Sequence, residues 1–374
     1  ALCGAGPAES GFTCGDNTGA SSPWGNEQVF NGEIVVCDRG TYGRIEKGKN
    51  VLLAGAGGYI LANDSEWGED IRPDEHCLPG THIGEKDADK LRAWLDSGSG
   101  HSASLSGLVL AEADAVADQL SISSSRGPAL APVEDMLKPN VIAPGSDILS
   151  ASNIGSSFRE LSGTSMSSPH IAGAAALLRG ARPDWTPAQL VSALETTATD
   201  ELAKDWDGSP ADTTQVGAGR PQLAEALNTG LFLDVQGAEF TVANPSFAGQ
   251  PRNLNLPGLV DASCEGSCSF VRTLTDQGGG GSWTAQAVGF PISTQASVSP
   301  GSFELGAGDS QEIEVTVNLL TSMIVGGWAS GKIKLSAPGY PDQYLTVNAK
   351  FPDTWVINDD RDSGWQTFSL SSLP

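Results

Sequence analysis

The run Ser162-Gly163-Thr164-Ser165-Met166-Ser167-Ser168-Pro169-His170 hands a hydroxyl to the start of a helix. Gly163 permits a tight, closely approached turn. Pro169 is tolerated near a helix start, which places that start at about Ser165. From Ile171 to Leu178 every residue is small or apolar, so the helix is expected to be buried all round. A hydroxyl at such a terminus meets unpaired N–H groups and the positive end of the helix dipole. Both favour developing negative charge, which is half of an oxyanion site. Two readings of Ser165 follow from this physics: an N-cap, or a nucleophile.

A serine hydroxyl attacks only when a base takes its proton. The chain has four histidines, His76, His82, His101 and His170. His170 lies five residues beyond Ser165 on the same helix. At about 100° per residue that is about 140° around the axis, too far to reach the hydroxyl. His76 and His82 flank Cys77 in a loop-like stretch. A Cys/His metal site there has no Cys-x-x-Cys pair to support it. His101 sits in the Gly/Ser-rich run 97–102 and reads as a solvated loop histidine.

Ser162 through Gly173 closely resembles the nucleophile motif of the subtilisin-like serine proteases, the subtilases. By that resemblance Ser165 is the catalytic serine and its backbone N–H is one oxyanion donor. Ile122–Pro128 and Leu137–Gly145 resemble the two segments that precede that serine, although the family more often has Asp where this chain has Asn140. Arg182–Leu190 resembles the family's next helix start. It also stands on local chemistry: Thr186 caps, Pro187 fits the first helical position, and Gln189 closes a capping box. Leu190, Val191, Leu194 and Ala198 then form one apolar stripe. Val216-Gly217-Ala218-Gly219 and a short helix to Leu227 resemble the end of the protease domain.

The family draws its Asp, its His and its oxyanion Asn from segments before the serine. No His-Gly-Thr-His and no Ser-Ala-Gly-Asn occurs in these residues. The resemblance therefore implies the C-terminal part of a secreted serine endopeptidase acting on proteins or peptides. The acid, base and Asn would come from an upstream segment, which could remain bound as a separate chain. A rival reading is a catalytically inert fragment that serves as a protein-binding or regulatory module. A third, an acid-type relative with a carboxylate base, conflicts with Met166 and His170.

The elements around the motif imply a multidomain chain. Residues 1–20 read as a linker. Residues 21–111 resemble the α/β protease-associated (PA) domain that many subtilases insert before the serine motif. Residues 112–229 resemble the C-terminal part of an α/β subtilisin-like domain. Residues 230–351 alternate in polarity over short strands and read as an all-β sandwich, resembling a fibronectin-III-like domain. Residues 352–374 are a tail. The cluster Gly55, Gly57, Gly58 mimics a dinucleotide fingerprint but lacks its spacing. Ala88, Leu91, Trp94 and Leu95 form a helical stripe.

Six cysteines in a protease relative imply disulfides and an oxidising compartment, with Cys3 expected to pair with Cys14, Cys37 with Cys77, and Cys264 with Cys268. The 21 basic and 45 acidic residues leave a net charge of −24. Such a surface repels nucleic acid and anionic membranes. No apolar run of about 20 residues offers a membrane span. No cofactor is identified. Calcium is possible at an unassigned site; in the acidic run Asn358–Gly364, Arg361 breaks the EF-hand ligand pattern.

Overall fold

The computed structural model describes residues 3–4, 23–25, 27–72, 74, 76–107, 118–152, 157–320 and 327–351, and the backbone of 354–358 and 365–369. Cys14 and the acidic residues 359–364 lie outside the described residues. The chain divides into two compact units. The first comprises Ala1–Ser124, Pro144–Met166 and Trp206–Gly208; the second comprises Ser125–Ala143, Ser167–Asp205 and Ser209–Pro374.

In the first unit, β1 (Ile34–Asp38), α1 (Arg44–Leu53) and β2 (Gly58–Ala62) form a parallel crossover. Two parallel strands need such a connection, and α1 supplies it. β3 (Gly80–Ile83) pairs parallel on the other side of β2, with Tyr59 opposite Gly80. The glycine cluster before β2 has a steric cause. A Cβ on Gly55 would lie 2.3 Å from the Phe30 carbonyl oxygen, and one on Gly57 2.5 Å from that of Gly32. Backbone approach, not phosphate binding, explains these glycines.

Helix α2 (Glu85–Asp96) follows β3. Its stripe is only half used: Ala88 is buried, whereas Trp94 and Leu95 are exposed. Trp94 instead lies against the His101 ring, with centroids 4.3 Å apart. The hairpin of β4 (Ile148–Ala151) and β5 (Phe158–Leu161) leads into the serine turn.

The disulfides correct the expected pairing. Cys3 bonds to Cys37, with Cα atoms 5.8 Å apart, and Cys77 is also disulfide-bonded. Cys37 points from β1 into the same buried cluster that receives Cys3, together with Tyr59, Leu61 and Leu78. The Asn50 side-chain amide also donates to the Cys3 carbonyl at 3.0 Å. Closing the Cys3–Cys37 loop is worth about 4 kcal/mol in the chain-entropy account. Cys264 and Cys268 are bonded to each other, with Cα atoms 5.5 Å apart.

Helix α3 (Thr164–Ala181) opens at the serine turn. It is not buried all round. Only Leu178 is fully buried, while Leu177 is 68% exposed. Ile171, Ala174, Ala175 and Leu178, at helical spacing, pack into one core with Trp185, Leu190 and Phe232. Among the described residues the opposite face, with Ala172, Gly173 and Ala176, remains exposed.

Helix α4 (Pro187–Thr196) is capped as its sequence demands. The Gln189 N–H donates to Thr186 Oγ1 at 3.2 Å, and Gln189 Oε1 accepts from the Thr186 N–H at 2.9 Å. Thr186→Ala is therefore expected to cost about 1 kcal/mol, read as a lowered urea midpoint at unchanged m-value. Leu190, Ala193 and Leu194 are buried, but Val191 is 43% exposed. At one residue past Leu190 it points about 100° off the buried stripe.

Two short helices follow, α5 (Thr213–Val216) and α6 (Leu223–Leu227). Beyond them come β6 (Leu231–Phe232), α7 (Gly237–Val242), β7 (Gly258–Asp261), β8 (Ser267–Asp276) and β9 (Gly281–Val288). Next are β10 (Thr294–Ser299), β11 (Ser302–Leu305), β12 (Ser310–Leu319), β13 (Gly327–Ser336) and β14 (Gln343–Phe351). They form two sheets, β10-β12-β8-β6 and β11-β9-β13-β14-β7. Phe270 and Val315, opposite each other in the first sheet, share a core with Trp283, Ile333 and Leu345 of the second. Burial alternates along β8 and β12, the period that a one-sided sheet requires. β15 (Thr354–Asn358) and β16 (Trp365–Ser369) pair as a separate hairpin. Among the described residues, no helix is long and apolar enough to cross a membrane.

Candidate active site

Three groups fix the turn between β5 and α3. The Gly163 N–H donates to the Gly145 carbonyl at 2.7 Å. The Ser162 hydroxyl donates to Asp147 Oδ1 at 2.9 Å and accepts from the Asp147 N–H at 2.8 Å. Arg72 Nη1 donates to the Ser162 carbonyl at 2.8 Å. Gly163 has φ +151°, a value side chains rarely adopt. Ser165 is then the second residue of α3 and is exposed. Its hydroxyl makes no hydrogen bond with the described residues, so it is not acting as a side-chain cap. A hydroxyl in the first turn of a helix lies where the helix dipole favours developing negative charge.

None of the histidines lies within hydrogen-bond reach of Ser165 among the described residues. His170 is exposed, farther along α3. The His76 ring packs edge-on against Tyr59 at 4.8 Å, and burial lowers its pKa. His82 is buried, with Nε2 2.7 Å from Asn63 Oδ1 and Nδ1 accepting from the Arg72 N–H at 3.0 Å. Burial and the nearby guanidinium groups push it down to about 4, so it is neutral. With both ring nitrogens engaged and Cys77 disulfide-bonded, this loop offers no Cys/His metal set. Asp261, Cys264 and Cys268 also lie close together, but those two sulfurs form a disulfide and cannot ligate as thiolates.

Asp-Ser-Gly, the tripeptide that carries the family's acid, does occur in the chain, at Asp96–Gly98 and Asp362–Gly364. The first ends α2, where Asp96 is exposed and the Ser97 hydroxyl donates to the Trp94 carbonyl at 2.6 Å. The second lies outside the described residues. Neither is brought to Ser165 among the described residues.

The segment Leu137–Gly145 is held from two sides within the second unit as far as Ala143. The Asn140 carbonyl accepts from the Ala218 N–H at 2.8 Å, and the Ile142 N–H donates to the Gly219 carbonyl at 2.9 Å. Gly217 has φ +61°, and a Cβ there would lie 2.1 Å from the Pro139 carbonyl oxygen. That approach explains the Val216–Gly219 motif. The Asn140 amide donates to Glu195 Oε1 at 2.8 Å. Burial pushes the Glu195 carboxyl up to about 7, against the pull of Lys138 and of the Asn140 hydrogen bond. Sequence reasoning passed over Glu195 and Arg72. The available signals were a lone carboxylate in the apolar run Leu190–Ala198 and an arginine within the charged loop 70–74.

The subtilase family model (Peptidase S8) matches residues 26–219, more than half of the chain. The chain is 40% identical over 275 residues to the subtilisin-like protease SBT1.4 of Arabidopsis thaliana, covering 67% of this chain and 35% of that protein. It is 31% identical over 361 residues to SBT1.7 of the same plant, covering 83% and 47%. With SBT1.6 it shares 35% identity over 252 residues, covering 62% and 33%. The chain thus spans between a third and a half of the length of these relatives. A family match over more than half of the chain, together with relatives 31–40% identical, leads to one conclusion: the chain belongs to the subtilase family.

Proposed function

We propose that this chain is the serine-bearing part of a secreted endopeptidase that cleaves protein or peptide substrates through an acyl-enzyme at Ser165. One observation carries the reading: an exposed, unbonded hydroxyl at the N-terminus of α3, behind a turn fixed by Asp147, Gly145 and Arg72. In the reaction, a base takes the Ser165 proton as the oxygen attacks the scissile carbonyl. The Ser165 N–H then meets the developing oxyanion.

The base, its acid and the second oxyanion donor are assigned to a segment upstream of these residues. The exposed apolar side chains favour this. Leu177 on α3 is 68% exposed, and Leu149 and Phe158 on the β4–β5 hairpin are 64% and 68% exposed. In this reading the upstream segment covers them. The first α/β region is read as a PA domain that gates access or binds partners. The sandwich is read as a fibronectin-III-like cap on the catalytic part. The competing reading is an inert binding or regulatory fragment.

A fluorophosphonate probe with denaturing mass spectrometry separates the two. An adduct on Ser165 is expected when the upstream segment is present, and none on the 374-residue chain alone. No adduct under either condition would replace the protease reading with the inert fragment.

A further inference from the structure

We infer that Arg72 is a positioning residue for the nucleophile: from the α/β region it holds the Ser162 carbonyl and so sets the turn that presents Ser165. This rests on the reading of Ser165 as the nucleophile.

The turn needs an outside restraint. Ser162 precedes the helix, so its carbonyl lies outside the α3 ladder, and Gly163 lacks the side chain that would narrow its backbone freedom. Arg72 supplies a charged donor at 2.8 Å across 90 residues of sequence. An arginine free in solvent would lose rotamer freedom in making such a bond. Here the side chain is already fixed. Its Nε donates to Asp70 Oδ2 at 2.9 Å, and its backbone N–H donates to His82 Nδ1 at 3.0 Å.

Both anchors are themselves held. Asp70 is buried and also receives Arg39 Nη2 at 3.2 Å, while the Arg39 guanidinium lies 4.1 Å over the Trp67 ring. The Asn63 amide donates to the carbonyls of Gly68 and Asp70, both at 2.9 Å. Asn63 Oδ1 takes the His82 Nε2–H, which leaves Nδ1 as the acceptor for Arg72. The side chains that anchor Arg72 here, Asp70 and His82, are each hydrogen-bonded in turn to Arg39 and Asn63, so the donor it offers to Ser162 is preorganised. A displacement of about 1 Å at a nucleophile can cost about a hundredfold in rate, so a fixed restraint on this turn has catalytic value.

Hydrogen exchange on the 374-residue chain tests this without activity. In Arg72→Ala, exchange of the Gly163 amide should rise about tenfold, well beyond any rise at the β2 amides that follows from losing the Asp70 ion pair. Arg72→Lys, which keeps a donor but not the simultaneous bond to Asp70, should recover part of the protection. Unchanged Gly163 exchange in Arg72→Ala would overturn the proposal. So would a rise shared equally by β2, which would mark Arg72 as a general stabiliser. If Arg72→Ala does not fold, Gly163 exchange in Arg72→Lys decides: a selective rise supports the proposal and none overturns it.

With the upstream segment present, Arg72→Ala should also slow probe acylation of Ser165 about tenfold at unchanged probe affinity. A wild-type chain that is never labelled sinks the protease reading, while the exchange result still decides the role of Arg72.

Discussion

In the chain joined to the upstream segment proposed above, Ser165→Ala is expected to lower kcat by about six orders of magnitude and leave KM nearly unchanged. The magnitude is carried over from the triad of subtilisin, a relative, where loss of the serine alone costs about as much as loss of the whole triad. The structure makes the substitution clean. Ser165 is exposed, sits in the first turn of α3, and bonds to none of the described residues. Alanine there leaves no cavity and no orphaned partner, so the melting temperature should stay within about 1–2 °C. The same non-additivity predicts that the chain alone is as inert as the variant, because a serine without its base has already lost most of what the triad gives. Progress curves on a peptide substrate check both statements. Equal rates for wild type and Ser165→Ala, with the upstream segment present, would assign the activity to another group and overturn the role given to Ser165.

What the sequence could reveal depended on how local the determinant was. The Thr186-Pro187-Gln189 cap was legible because all its partners lie within four residues. The strands of the sandwich were legible because a period of two survives in β8 and β12 whatever they pack against. The serine turn was legible through residue order. The failures are all tertiary. The Cys3–Cys37 bond joins residues 34 apart that a shared buried cluster brings together, and spacing along the chain carries no trace of that cluster. From Ile171 to Leu178 helix α3 is small or apolar on every side, so its pattern could not say which face is covered; Leu178 is buried and Leu177 is exposed. The short Asp-Ser-Gly tripeptide shows the opposite hazard. Three residues recur by chance, and at Asp96 they end a helix instead of presenting an acid. Arg72 and Glu195 matter only through partners 90 and 55 residues away, so no local pattern could single them out.

Acidification from pH 7 to 5 should shift the local stabilities of the two units in opposite directions, once the common background of their many carboxylates is removed. In the first unit His82 is buried and neutral, with a pKa pushed down to about 4 from an ordinary 6.5. Between those values the unfolded chain binds a proton that the folded one refuses, so stability rises with pH and is lost as pH falls through this window. Protonation would turn Nδ1 into a donor facing the Arg72 N–H, its hydrogen-bond partner. Allowing for solvent screening, the loss amounts to about 2 kcal/mol. In the second unit the sign reverses. Glu195 is buried and titrates near 7, above the ordinary 4.5. There the folded chain keeps a proton that the unfolded one has released, so stability is fully present below about 4.5 and falls as pH rises through 7. The difference is about 3 kcal/mol. Opening free energies from hydrogen exchange on β2 and on α4 report the two units separately. Glu195→Gln preserves the acceptor for Asn140 and cannot titrate, so the α4 difference between wild type and variant should appear as pH rises and vanish near pH 4. His82→Gln should flatten the β2 slope at some cost in stability. If Glu195→Gln leaves the α4 slope intact, the carboxyl titrates where an exposed one would, and the pH dependence of this unit belongs to other groups.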